Sequence, residues 1–282
     1  MNAVHSVNAV HAVSLGSRAR LALILASAGA LLAFAWPLLI APAAGAAGAA
    51  GAATQTGHSI DAPAVFVIVL PLLLLVMLAE ISAGGIDAKA LAMLGVLSAI
   101  GAALRPLGAG TAGLETSFFL LVLAGRVFGP AFGFLLGSTT LFTSALLTGG
   151  VGPWLPFQML AASWVGLGAG LLPPLRGRLE VVLLMVYGAL ASVAFGLLMN
   201  LWFWPFSGGM ATQLSYQAGA PMLMNLQHWL VFSLATSLGY DIPRAVLTAT
   251  LILVAGAPIL GALRRATRRA AFGAPVVFVE AP

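Results

Sequence analysis

The sequence predicts an all-α membrane protein, and three observations carry that reading. First, hydrophobic residues make up 61% of the 282, charged residues only 7%, and mean hydropathy is +1.08. A soluble globular chain carries about 25% charge, so this one lacks the polar groups to cover a water-facing surface. Second, the apolar runs are long and unbroken rather than alternating, which suits spanning helices and not the strands of a membrane barrel. Third, the basic residues stand at the ends of those runs, where membrane topology needs them. Together these features exclude a cytosolic enzyme, a disordered chain and a coiled coil. The chain has no cysteine, which excludes disulfides, thiolate catalysis and Cys-ligated metals. The pI of 10.8 does not read as nucleic-acid binding, because the basic residues are spread over helix ends.

Residues 1–20 are polar, lack acids and end on Arg18 and Arg20. The apolar run 21–41 is long enough to cross a hydrocarbon core of roughly 30 Å. It reads as a retained anchor. The alternative is a signal peptide cut at Ala41-Pro42-Ala43, for which the run is long. Residues 1–41 thus form an N-terminal tail and a first transmembrane helix. Residues 42–61, mostly Ala and Gly, read as a flexible linker. Residues 62–82 hold a second accessory transmembrane helix. The body covers 86–270, and 271–282 is a tail expected in the cytoplasm.

Within the body, apolar segments recur at 88–104, 116–128, 130–148, 155–172, 181–201, 226–238 and 243–262. The breaks carry charge, Gly or Pro: Arg105-Pro106, Gly129-Pro130, Gly149 to Pro153, Pro173 to Glu180, Ser207 to Gln217, and Gly239 to Pro243. Lys89, Arg126, Arg176, Arg178 and the group Arg264, Arg265, Arg268, Arg269 are expected in the cytoplasm with Arg18 and Arg20. Crossings between consecutive members of this set must be even in number. Between Arg178 and Arg264 three apolar segments appear, so one does not cross. The short 226–238, with Asn225, Gln227 and His228 at its start, is read as an outer-surface or partly inserted helix. Eight spans result, with both termini inside and only Arg105 and Arg244 outside.

The catalytic inventory is poor. No Gly-x-Ser-x-Gly, His-Glu-x-x-His or phosphate-cradling Gly-x-x-x-x-Gly-Lys-Ser/Thr occurs, and no mid-span acid pair suggests a proton relay. His5, His11 and His58 fall in the tail or linker and do not read as metal ligands, and no cofactor is expected. Small residues recur at four-residue spacing in Gly129, Gly133 and Gly137, in Gly166 and Gly170, and in Ala88 with Ala92 and Ala99 with Ala103. Such stripes allow close helix approach. The glycines read as packing inside the bundle, while the alanines suit contact with either the bundle or a partner membrane protein.

The expected outer loops 105–115, 149–155 and 201–225 gather Arg105, Glu115, Trp154, Gln158, Asn200, Trp202, Trp204, Tyr216, Asn225, Gln227 and His228. Aromatic walls with a few hydrogen-bonding groups suit an organic ligand. The competing reading of the Trp residues is an interfacial belt. Gln158 and Asn200 lie in spans, where unsatisfied amides are costly. The pairs Arg105 with Glu115 and Asp241 with Arg244 read as structural ion pairs.

At this point the body, over roughly 86–270, resembles the substrate-binding S-components of energy-coupling-factor (ECF) vitamin transporters. The stretches that carry the resemblance are Ala-Leu-Arg-Pro at 103–106, Gly125-Arg126-Val-Phe-Gly129-Pro130-Ala-Phe-Gly133, Gly149-Gly-Val-Gly-Pro-Trp154-Leu-Pro-Phe-Gln158 and Leu238-Gly-Tyr-Asp241-Ile-Pro-Arg244-Ala. The resemblance implies a six-helix bundle, here preceded by two extra N-terminal transmembrane helices, with a vitamin site at the outer face. It implies an EcfT-like transmembrane coupling protein and two cytoplasmic ATPases as partners, in the inner (cytoplasmic) membrane. In the family an Ala-x-x-x-Ala stripe on the first body helix meets the coupling protein; Ala88 and Ala92 match it, and Ala99 with Ala103 is a second register. The loop containing Trp154 is most similar to S-components linked with cobalamin or its precursors, with thiamine precursors and riboflavin as alternatives. A self-sufficient secondary transporter and a membrane enzyme on a lipid-like substrate are the competing readings.

Overall fold

The computed structural model describes residues 17–39, 88–108, 114–207, 214–217 and 220–270. The linker 42–61, the expected second accessory helix at 62–82 and the tail 271–282 lie outside the described residues. All regular structure among the described residues is helical. The helices are α1 (Ser17–Leu39), α2 (Ala88–Leu104), α3 (Phe118–Phe128), α4 (Pro130–Thr148), α5 (Leu155–Leu171), α6 (Arg178–Phe203), α7 (Met222–Thr236) and α8 (Leu238–Ala270). Short 3-10 turns follow α2 at Arg105–Gly108 and α6 at Trp204–Phe206. Among the described residues, four helices are long and apolar enough to cross a membrane: α2 with its 3-10 turn, α4, α6 and α8. The chain is an all-α membrane protein.

The helix α3 is central. It has 11 residues, and all but Phe119 are buried. The chain turns out of α3 at Gly129, whose φ of 101° is open to glycine and strained for other residues. Pro130 then takes the first position of α4, where its missing N–H is no loss. This places α4 back along α3 and against α5.

Direction follows from the ion pairs. Arg105 after α2 meets Glu115 before α3 at one end of the bundle. At the other end, Glu180 in the first turn of α6 meets Arg126 of α3 at 2.7 Å and Arg264 of α8 at 2.6 Å. Arg126 also donates to Leu172 O and Leu175 O after α5. The helices α2 to α6 therefore alternate in direction, and α8 runs opposite to α6. Polar pairs stitch neighbours together inside the apolar interior: Ser98 with Thr139 (α2 to α4), Ser163 to Ser138 (α5 to α4), and Ser192 with Thr248 (α6 to α8). Buried hydroxyls need such partners because lipid offers none.

Both ends of α7 are tied to the Arg105 end. Asn225 near its start bonds Gln217 in the loop after α6. Ser237, just past its end, accepts from Asn200 near the end of α6. Both ends of the 15-residue α7 thus sit at one end of the bundle. One expected boundary moves. The break at Gly239 to Pro243 is helical, and the helix-to-helix joint is the single residue Ser237. Pro243 sits in the second turn of the 33-residue α8, where its ring removes only one main-chain bond. Asp241 N bonds Ser237 O, so the helix already closes before the proline.

Candidate functional site

The residues at the Arg105 end converge from four elements. The Arg105 Nε donates to Glu115 Oε2 at 3.0 Å, and its NH2 group reaches Gln158 Oε1 at 3.5 Å. The other carboxylate oxygen of Glu115 accepts from the Ser117 backbone N–H and hydroxyl. A carboxylate at the N-terminus of α3 is favoured by the helix dipole. The Thr116 hydroxyl bonds Leu104 O, tying this loop to the end of α2. The guanidinium thus fixes Gln158 as an acceptor and turns its NH2 group away. Both charged side chains remain partly open, at 22% and 13% exposure.

Gln158 stands in the first turn of α5 beside Phe157. The Phe157 ring lies 5.5 Å from the Trp202 ring, tilted by 34°. Trp202 is buried near the end of α6. One turn of α5 therefore joins the charged group on one side to an aromatic pair on the other. Sequence reasoning missed Phe157; its neighbour Gln158 was the signal.

A second group holds the loop beyond α6. The fully buried Trp204 donates from Nε1 to Leu214 O at 2.7 Å, and its ring meets Tyr216 edge-on at 5.3 Å. Asn225, fully buried, uses both ends of its amide on the Gln217 backbone, at 3.0 and 2.9 Å. His228 Nδ1 is 3.0 Å from Ser215 O. A carbonyl only accepts, so Nδ1 carries the proton. Burial pushes the Tyr216 phenol above its usual pKa, so it stays protonated near neutrality. Trp204, Asn225 and His228 fold the loop 214–217 over this end.

Other expected site residues stand apart. Trp154 is 40% exposed and its ring folds back on Gly152. Gln227 is exposed on the far side of α7 from Asn225. Asn200 spends its NH2 group on Ser237, at 2.7 Å.

Arg244 donates to Asp241 at 2.7 Å and to Ser192 O, and its guanidinium lies over the Phe195 ring. Both expected ion pairs form. Among the described residues, no group of three or more His, Asp or Glu is placed to hold a metal.

On α2, the stripes divide by face. Ala90, Leu94, Leu97 and Ser98 are buried against the bundle, while Ala88, Ala92, Ala99 and Ala103 are exposed. Gly95 is exposed on the same helix with no neighbour within 4 Å of a built Cβ.

No curated protein and no solved structure matches the chain. A family model described as "ECF transporter, substrate-specific component" matches residues 89–256, well over half of the chain. The match begins inside α2 and ends inside α8, so it takes in the whole of the site described above. The chain therefore belongs to the substrate-specific components of the ECF transporters.

Proposed function

We infer that this substrate-specific membrane component captures a vitamin or vitamin precursor at the Arg105 end of the bundle, which faces outward. The observation that carries this is the single turn of α5 that joins Arg105, Glu115 and Gln158 to the Phe157–Trp202 ring pair. A ring-bearing ligand would present its polar edge to the amide and the guanidinium, with the buried Phe157–Trp202 pair backing that turn of α5 from inside the bundle. Tyr216 closes over it from the loop that Asn225 and His228 hold. Cobalamin or a precursor is the favoured substrate, with riboflavin and thiamine precursors behind it.

The exposed small-residue face of α2 is the contact for an EcfT-like coupling protein, which works with two cytoplasmic ATPases. Ala88, Ala92, Gly95, Ala99 and Ala103 let a second helix approach closely and leave a smooth surface for rotation of the body in the membrane. The Arg126–Glu180–Arg264 end then faces the cytoplasm. The chain performs no catalysis of its own.

The test is uptake by the chain reconstituted with a coupling protein and ATPases. Vitamin should accumulate only with ATP inside the partner compartment. Accumulation driven by an ion gradient, without any ATPase, would instead make the chain a self-sufficient transporter.

A further inference from the structure

Helix α1 lies before the matched residues 89–256, yet it packs as a helix of the body. Its buried face is Leu23, Ala26, Ala30, Phe34 and Leu38, spaced by three or four residues. Its other face, with Ile24, Leu25, Leu31 and Leu32, is exposed. The buried face meets α5, α6 and α7.

Two contacts fix the register. The Trp164 Nε1 donates to the Ser27 hydroxyl at 3.0 Å. The Phe34 ring meets the Phe157 ring edge-on at 5.1 Å and lies 5.8 Å from Trp164. Seven residues forward on α1 thus match seven back on α5, so the two helices are antiparallel and in step. A hydrogen bond between apolar helices specifies this register, because Trp164 and Ser27 would otherwise stand unpaired in lipid. The chain of rings continues from Phe34 through Phe157 to Trp202. Phe34 is 1% exposed, and Phe157 is 2% exposed.

We propose that α1 is a working wall of the substrate site, and that Phe34 is a positioning residue that sets the place of the Trp202 ring through Phe157. This rests on the reading that the Gln158–Trp202 end takes the substrate. The faces of α5, α6 and α7 that α1 meets are then covered by this chain's own N-terminal helix, which must remain in the mature protein.

The test uses the full chain labelled with 5-fluorotryptophan. The fluorine resonances of its six tryptophans report ring surroundings one by one, and Trp202→Phe assigns the one that matters. Phe34→Ala should shift both the Trp164 and the Trp202 resonances and leave Trp154 in place. Phe34→Tyr, which keeps the ring, should return Trp202 to its original position. Leu31→Ala, on the exposed face, should move neither. A Trp202 resonance that ignores Phe34→Ala overturns the proposal.

A second experiment holds should that variant fail to fold. The chain has no cysteine, so Ala30→Cys with Ala161→Cys, level with each other in this register, should form a disulfide on mild oxidation. Leu32→Cys with Ala161→Cys should not. Absence of the first crosslink, or an intact mass showing the chain cut after Ala43, also overturns it. None of these readings needs a vitamin. A chain that passes them but binds no vitamin refutes the substrate reading; a chain that binds one while Trp202 ignores Phe34 refutes this proposal.

Discussion

Gly133 of α4 and Gly166 of α5 face each other so closely that a Cβ built on either one meets the other's carbonyl oxygen. Gly125 of α3 presses on the same Gly166 carbonyl, and Gly170 meets the backbone at Gly129-Pro130. Three helices therefore cross backbone to backbone toward the Arg126 end of the bundle. Lipid supplies no hydrophobic drive for this contact, so dispersion between close backbones must hold it.

Gly133→Ala should destabilise the protein by about 2 kcal/mol, the scale of core overpacking. Gly95→Ala should be neutral, because nothing stands within 4 Å of its Cβ. Thermal unfolding in detergent compares the two. Equal melting temperatures would mean that α4 and α5 are not packed this way.

The bridge of Glu180 to Arg126 and Arg264 ties α6 to α3 and α8. The Glu180 and Arg126 side chains are each 2% exposed, whereas Arg264 is 40% exposed. Removing one partner of a buried pair strands the other, at a cost on the order of 3 kcal/mol. Glu180→Gln should therefore unfold at clearly lower temperature than the parent. Arg264→Ala should lose much less, because water screens that partner. A loss in Arg264→Ala as large as in Glu180→Gln would contradict the screening of Arg264 by water.

Much of this fold was legible in the sequence. The Gly129-Pro130 break and the intrabundle role of the glycine stripes follow from residue type and size. The helix through Pro243 was not legible, because a proline near a helix start reads like a proline at a break. For the candidate site, the polar and aromatic residues gathered at the Arg105 end are visible in the sequence, but their partners are not. Asn225 and Gln227 are two positions apart in sequence, yet one is fully buried on Gln217 and the other exposed. Phe34 and Phe157 are 123 positions apart, and no local pattern connects them.

Ala92→Arg should abolish ATP-driven uptake while leaving substrate affinity unchanged. Ala92 is exposed on α2, so a long side chain there meets no atom of the bundle but blocks close approach by another helix. Uptake and equilibrium binding measured on the same preparation separate the two effects. Loss of binding would place Ala92 in the protein's own core.

Gln158→Ala should weaken substrate binding about tenfold, the scale of one lost hydrogen bond to a charged or well-placed polar group. Asn225→Ala should weaken it as well, through the loop it holds at Gln217, with Tyr216 becoming more accessible to solvent. Titration calorimetry gives the affinity, and Tyr216 nitration gives the access. Unchanged affinity in Gln158→Ala removes that residue from the site.

Capture of a vitamin-like molecule is the central claim, and the most direct measurement is mass spectrometry of what the purified chain carries. The chain is taken from cells supplied with cobalamin, riboflavin and thiamine, and the extract is analysed after denaturation. One of these, or a precursor, should be present in stoichiometric amount and at lower occupancy in Gln158→Ala. A chain that emerges with no small molecule, and takes up none of the three when they are added back, would contradict the account.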